Sequence, residues 1–170
     1  MALSGWQRTW VRVLTTLLTL AMMLLIFFFS TENGEESDRR SGFIAMPIIR
    51  MMHADYDQLT GNEQQKIYDD VSLIIRKLAH FSEYALLGIL LRLCLESWFG
   101  HRVRSAWFLA WISLACGAFY AATDELHQIL TDGRSGQFVD VLVDTCGVLF
   151  GVITGTMIIR HKVNAAGNGG

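Results

Sequence analysis

The feature that most constrains this chain is a run of 17 residues without a charge, at positions 13–29, most of them apolar. This is about the minimum length for a helix to cross a bilayer core of roughly 30 Å. Arg12 precedes the run and Glu32 follows it closely, so charged residues flank the apolar segment. The residues after it do not form a small-x-small cleavage pattern. We therefore predict that residues 1–30 form an uncleaved membrane anchor helix.

Three further segments are long and apolar enough to span a membrane, at positions 78–98, 105–123 and 138–160, and none contains Pro. The chain is 52% hydrophobic and only 18% charged, and its net charge of −2 is not that of a polyanion-binding protein. We therefore do not expect nucleic acid as a partner. The predicted fold is all-α, a membrane-embedded bundle of four transmembrane helices in a multi-pass protein of the cell membrane.

The basic residues predict the orientation of the bundle, because cytoplasmic connections carry an excess of Lys and Arg. With four spans, the N-terminus, the second connection and the C-terminus share one side, which receives Arg8, Arg12, Arg92, Arg102, Arg104, Arg160 and Lys162. Residues 31–75 lie on the other side, with nine acidic residues against four basic ones. Arg76 and Lys77 count against this orientation. The balance predicts that both termini are cytoplasmic and that the acidic segment is outside.

The long first connection divides the chain into regions. Residues 31–69 are expected to form an acidic extracytoplasmic loop, in which residues 42–52, broken by Pro47, form a re-entrant or interface-lying segment. Thr60 and Glu63 have the spacing of a capping box that opens a short helix, and with no strong breaker after it this helix can continue into the second span. Residues 70–160 then form a three-helix membrane region, followed by a flexible cytoplasmic tail at 161–170.

Ionisable residues inside the predicted spans are the main functional signal, because a charge at mid-membrane costs about 3 kcal/mol on insertion scales and usually faces the bundle interior. In the second span, four residues spaced three, four and four apart lie on one face of the helix: Lys77, His80, Tyr84 and Gly88. Glu83 lies beside this face. The fourth span has a similar stripe, which consists of Asp140, Asp144, Gly147, Gly151 and Gly155. Its glycines form a small-xxx-small surface for close helix contact.

The third span ends in a polar run at 123–128 that includes Asp124, Glu125 and Gln128, and the turn after it carries Arg134. Under the predicted orientation, these residues and the starts of the second and fourth spans converge near the outer leaflet. Arg134 is the candidate partner for Asp140 and Asp144, since a guanidinium pairs bidentately with carboxylates. Ordinary roles remain open for several members: interfacial snorkelling for Lys77, packing for His80, and loop charges for Asp124 and Glu125.

Together these runs resemble the VanZ-like integral membrane proteins. The resemblance rests on RKLAHFSEYALLG at 76–88, TDELHQ at 123–128, Arg134, and DVLVDTCG at 140–147. The polar positions of that family correspond to Lys77, His80, Tyr84, Asp124, Glu125, Gln128, Arg134 and Asp140. Asp144 departs from the family pattern, which more often has Asn there, and so adds a charge. The resemblance implies a multi-span envelope protein whose founding member is associated with resistance to teicoplanin-type lipoglycopeptides.

Three functions follow from these residues. The first is a non-enzymatic protein that binds an amphiphile, either a lipoglycopeptide or a lipid-linked cell-wall precursor, through a ligand-binding set of Lys77, His80, Tyr84, Asp124, Glu125, Gln128, Arg134, Asp140 and Asp144. The second is a membrane hydrolase or transferase acting on lipid-linked phosphates, with His80, Glu83, Asp124 and Glu125 as catalytic candidates. No complete catalytic motif is present, so an enzyme is the less favoured reading.

The third function is structural. The polar residues would then stabilise the bundle, and the glycine face of Gly147, Gly151 and Gly155 would recruit another membrane protein. No cofactor or resident metal is expected, although the carboxylates could alternatively hold a divalent ion. Membrane lipid is expected as a partner in every case.

Overall fold

A computed structural model describes residues 5–31, 34–103, 105–129 and 138–167. In this part of the chain five α-helices follow one another, with a 3₁₀ turn at Tyr56–Gln58 between the second and the third. The helices are α1 (Gly5–Ser30), α2 (Gly34–Met52), α3 (Gly61–Phe99), α4 (Ala106–Ile129) and α5 (Phe138–Gly167). All except α2 are long and apolar enough to cross a membrane. The prediction of an all-α bundle with four spans is therefore confirmed.

The central element is α3, which packs against each of the other four helices. Its 39 residues correspond to roughly 58 Å, nearly twice the thickness of a bilayer core. The helix begins at the predicted capping box, where the Glu63 carboxylate accepts hydrogen bonds from the Thr60 backbone N–H at 3.0 Å and the Thr60 hydroxyl at 2.8 Å. The prediction that this helix continues into the second span is confirmed, and its first part extends beyond the crossing segment.

The segment before α3 is not the loop broken by Pro47 that the sequence indicated. Instead α2 is helical over 19 residues and continues through Pro47. A proline removes one backbone donor from a helix, and tertiary packing offsets that loss here. Ala45 and Ile49 are fully buried, in a cluster that includes Ile67 and Val71 on the first part of α3.

The closest helix contact joins α3 and α5, and glycines make it possible. A Cβ atom at Gly88 would lie 2.4 Å from the Val148 carbonyl oxygen, and one at Gly151 would lie 1.9 Å from that of Ala85. The two backbones therefore touch without side chains between them. The close-contact surface expected for the glycine stripe is formed, and α3 of the same chain covers it.

The first span lies across α3 and α4. The Tyr120 hydroxyl of α4 donates a 2.6 Å hydrogen bond to the Met23 carbonyl, and the ring of Phe27 lies 4.9 Å from that of His127. Toward its beginning, α1 is joined to α3 by a 2.9 Å hydrogen bond from Arg12 Nε to the Ser97 carbonyl. The anchor helix is thus an integral part of the bundle.

The end of α5 also differs from the prediction. Residues 161–167, expected to begin a flexible tail, continue the helix to Gly167. No Pro or Gly interrupts positions 156–166, so the helix has no local reason to stop at Arg160.

Candidate functional site

The predicted polar residues meet at one end of the bundle, where the membrane part of α3 begins, α4 ends and α5 begins. Antiparallel connection of α4 and α5 brings the end of one helix beside the start of the next. The close approach of α3 and α5 then places the polar face of α3 against that of α5. We call the described members the polar cluster: Lys77, His80, Tyr84, Asp124, Glu125, Gln128, Asp140 and Asp144.

Two contacts between α3 and α5 define the first side of the cluster. The Lys77 ammonium forms a salt bridge with the Asp140 carboxylate, and both side chains are about one-third exposed. One turn further along, Nδ1 of His80 lies 4.0 Å from Oδ1 of Asp144. The salt bridge assigns Lys77 as a counter-ion of Asp140, the role that the sequence had suggested for Arg134.

The second side of the cluster is deeper and involves α4. Tyr84 is fully buried and Asp124 is 4% exposed. The Gln128 amide donates a 3.1 Å hydrogen bond to Asp124 Oδ2. The Tyr84 hydroxyl is close enough to Asp124 and Asp144 to interact electrostatically with both carboxylates. Three helices therefore contribute polar groups to one buried region.

The Tyr84 hydroxyl and the Asp124 carboxylate are buried side by side and interact with each other, although Tyr84 Oη and Asp124 Oδ1 do not reach strict hydrogen-bonding geometry. A ligand donor or an ordered water molecule would add to the hydrogen bonding of this buried pair.

The cluster is rich in carboxylates. Asp144 is 2% exposed and interacts electrostatically with four other carboxylates, which belong to Asp124, Glu125, Asp140 and Glu83. Buried like charges repel one another and favour a cationic or hydrogen-donating group in their midst. Within the described ranges, no group of three or more His, Cys, Asp or Glu side chains is arranged to hold a metal ion.

Two predicted residues, Arg134 and Glu83, are not members of the polar cluster. Arg134 falls outside the described residues. Glu83 also lines a neighbouring cavity between α2 and α3, together with His80.

The burial of one charge was not predicted by the sequence analysis. Arg92, counted there among the cytoplasmic charges that set orientation, is completely buried within α3. Its Nη1 donates to Glu96 at 2.8 Å and its Nε donates to Thr156 of α5 at 3.2 Å. The signal that could have found it is its spacing of four residues from Gly88, which places it on the same face of α3 as Tyr84.

An apolar groove of about 160 Å³ lies between α4 and α5, lined by residues that include Trp107, Trp111 and Arg160. These residues lie at the start of α4 and late in α5, at the end of the bundle opposite the polar cluster. The Arg160 guanidinium lies 5.2 Å from the centre of the Trp107 ring. The groove is therefore separate from the candidate site.

A bundle with four helices long and apolar enough to cross a membrane is that of a polytopic membrane protein. The VanZ/LLP1 family model matches residues 15–159, which is most of the chain, and the protein belongs to this family. The resemblance seen in the sequence is thereby confirmed. No curated protein and no solved structure matches the chain.

Proposed function

We propose that this VanZ-like protein binds an amphiphile at the outer leaflet of the bacterial cell membrane, through the polar cluster. The ligand class is a lipoglycopeptide such as teicoplanin or a lipid-linked cell-wall precursor. Arg134 completes the proposed ligand-binding set, on the evidence of its sequence position between α4 and α5.

The observation that carries the proposal is the burial of the Tyr84 hydroxyl together with the Asp124 carboxylate, which interact with each other between α3 and α4. They lie in a region where three helices meet and where a bilayer would disfavour polar atoms. A polar ligand group that hydrogen-bonds both groups would offset their desolvation.

The chemistry of the cluster suits a ligand with both polar and apolar parts. The carboxylates of Asp124, Glu125 and Asp144 suit an amine or hydroxyl group, whereas Lys77 can additionally bind a phosphate or carboxylate. An acyl chain would extend along the apolar faces of the helices, where Leu126 and Leu142 are among the exposed side chains.

Binding to the full chain in nanodiscs tests this proposal, with teicoplanin and a lipid-linked wall precursor titrated separately. We expect saturable binding of at least one of the two. The variant Asp124→Asn removes the charge at the centre of the cluster and should weaken binding about tenfold. The matched control is Asp55→Asn, at an exposed position before α3, which should bind like the parent chain. No saturable binding, or equal binding by both variants, would contradict the proposal.

The contact between His80 and Asp144 favours a second candidate, a hydrolase or transferase acting on lipid-linked phosphates. A carboxylate beside an imidazole can orient it as a general base. Turnover of a lipid-linked phosphate by the purified chain, lost in His80→Ala, would support an enzyme. Absence of turnover together with full cellular activity of His80→Ala would reject it.

A further inference from the structure

A cavity adjoins the polar cluster at His80, between the end of α1, the first half of α2 and residues 75–83 of α3. Its volume is about 70 Å³. We call it the α2 cavity. Its lining includes Phe29, Ser37, Arg40, Arg76, His80 and Glu83.

We propose that the α2 cavity binds the phosphate group of a membrane phospholipid. The phosphate-binding groups proposed here belong to α2 and to Arg76, which are not members of the polar cluster, although His80 lines both sites.

The charges around the cavity favour an anion. Its lining contains two guanidinium groups, Arg40 and Arg76, against one carboxylate, Glu83. The nearby Asp38 carboxylate is not part of the lining, and it is engaged in a salt bridge with Arg76 Nη2. A guanidinium binds phosphate through several N–H donors in a fixed planar arrangement.

Donors are available inside the cavity. Arg76 uses Nη2 for Asp38, whereas its Nε is buried and has no hydrogen-bond partner in the described part of the chain. The Ser37 and Ser41 side chains are buried in the wall contributed by α2, and the Ser41 hydroxyl already donates to the Ser37 carbonyl at 2.9 Å. The donor that a phosphate oxygen would meet in this space is therefore the charged Arg76 guanidinium, through Nε.

The surroundings of the cavity indicate a lipid as the source of the phosphate. Phe29 belongs to the apolar run of α1, and the Arg40 guanidinium lies 4.3 Å from the centre of its ring. On α2, Phe43 is 84% exposed and Met51 is 82% exposed. A helix that combines basic residues with exposed apolar side chains, beside membrane spans, is typical of an element lying at the membrane interface.

The test uses the full chain in dodecyl maltoside, a detergent without phosphate, and three probes. These are dioctanoyl phosphatidic acid, dioctanoylglycerol, which has the same tails without phosphate, and inorganic phosphate. We expect saturable binding of phosphatidic acid and much weaker binding of the other two. Equal affinity for dioctanoylglycerol would show recognition of the tails, and equal affinity for inorganic phosphate would show a free-anion site. Either result would overturn the proposal.

Neighbouring arginines supply a matched pair of variants. Arg40 lines the cavity, whereas the adjacent Arg39 is outside its lining, and both side chains are exposed. Arg40→Gln should weaken phosphatidic acid binding about tenfold, and Arg39→Gln should leave it within about twofold of the parent. If both variants lost the same amount of affinity for phosphatidic acid, the loss would reflect the change in overall charge, and the assignment to the α2 cavity would be overturned.

A third variant separates this inference from the proposed function. Asp124→Asn, which lies in the polar cluster, should retain phosphatidic acid binding even where it abolishes binding of the larger amphiphile. Loss of phosphatidic acid binding in Asp124→Asn would place the lipid in the polar cluster and overturn the assignment to the α2 cavity.

Discussion

The imidazole nitrogen Nδ1 of His80 lies 4.0 Å from the carboxylate oxygen Oδ1 of Asp144, across the interface between α3 and α5. This contact lies one helical turn from Tyr84, whose Cβ would be 3.2 Å from a Cβ atom at Gly147. The glycine contact and the polar cluster are therefore adjacent parts of one interface. Any change in the helix separation at the glycines is expected to alter the geometry of the polar groups.

Adding a methyl group at Gly151 should disrupt this interface. Its Cβ would lie 1.9 Å from a backbone carbonyl oxygen that has no freedom to rotate away. We expect Gly151→Ala to destabilise the bundle by about 1–3 kcal/mol, as overpacking does in other interiors. Thermal unfolding in detergent measures the effect. The control is Gly61→Ala at the start of α3, where a Cβ would meet nothing within 4 Å, and equal melting temperatures of the two variants would contradict the prediction.

Two aspartates one turn apart on α5 should respond differently to loss of charge. Asp140 forms a salt bridge with Lys77, so Asp140→Asn should lower stability by about 1 kcal/mol. Asp144 interacts electrostatically with four other carboxylates, and a neutral amide there avoids this repulsion, so Asp144→Asn should leave the melting temperature unchanged or raise it. A decrease for Asp144→Asn as large as that for Asp140→Asn would show that the His80 contact outweighs the repulsion.

The buried guanidinium of Arg92 should contribute to the contact between α3 and α5. Arg92→Met removes the donors to Glu96 and Thr156 and leaves the Glu96 carboxylate without its Arg92 counter-ion. We expect a loss of roughly 2 kcal/mol. The double variant Arg92→Met with Glu96→Gln should regain part of this loss, because the carboxylate is then neutralised. A double variant no more stable than Arg92→Met alone would argue against the pairing.

The predicted orientation can be tested by cysteine labelling in intact cells, after replacement of the three native cysteines. Asp55→Cys, in the connection before α3, should react with a membrane-impermeant maleimide. Arg102→Cys, between α3 and α4, should react only after permeabilisation, because the excess of basic residues favours a cytoplasmic position. The reverse pattern would place the polar cluster at the inner leaflet and would contradict the outer-leaflet proposal.

Much of this fold could be predicted from the sequence alone, because membrane spans are determined by local composition. The uncharged run at 13–29 and the three later apolar segments correspond to α1, α3, α4 and α5. The steps of three and four residues that align Lys77, His80 and Tyr84 follow from helix periodicity. The capping box at Thr60 is likewise a local pattern, so the start of α3 was predictable to the residue.

The tertiary structure decided which of these polar residues meet. Sequence periodicity places Asp140 and Asp144 on one face of α5. Only the packing of α3 against α5 brings Lys77 to Asp140 and His80 to Asp144. Packing on α3 also keeps α2 helical through Pro47, where local preference alone favours a break. Arg92 is the clearest case. An arginine near the end of a span usually extends its side chain toward water. Arg92 is instead buried against Thr156 of α5, and only the contact between the two helices shows this. Burial depends on neighbours that are distant in sequence.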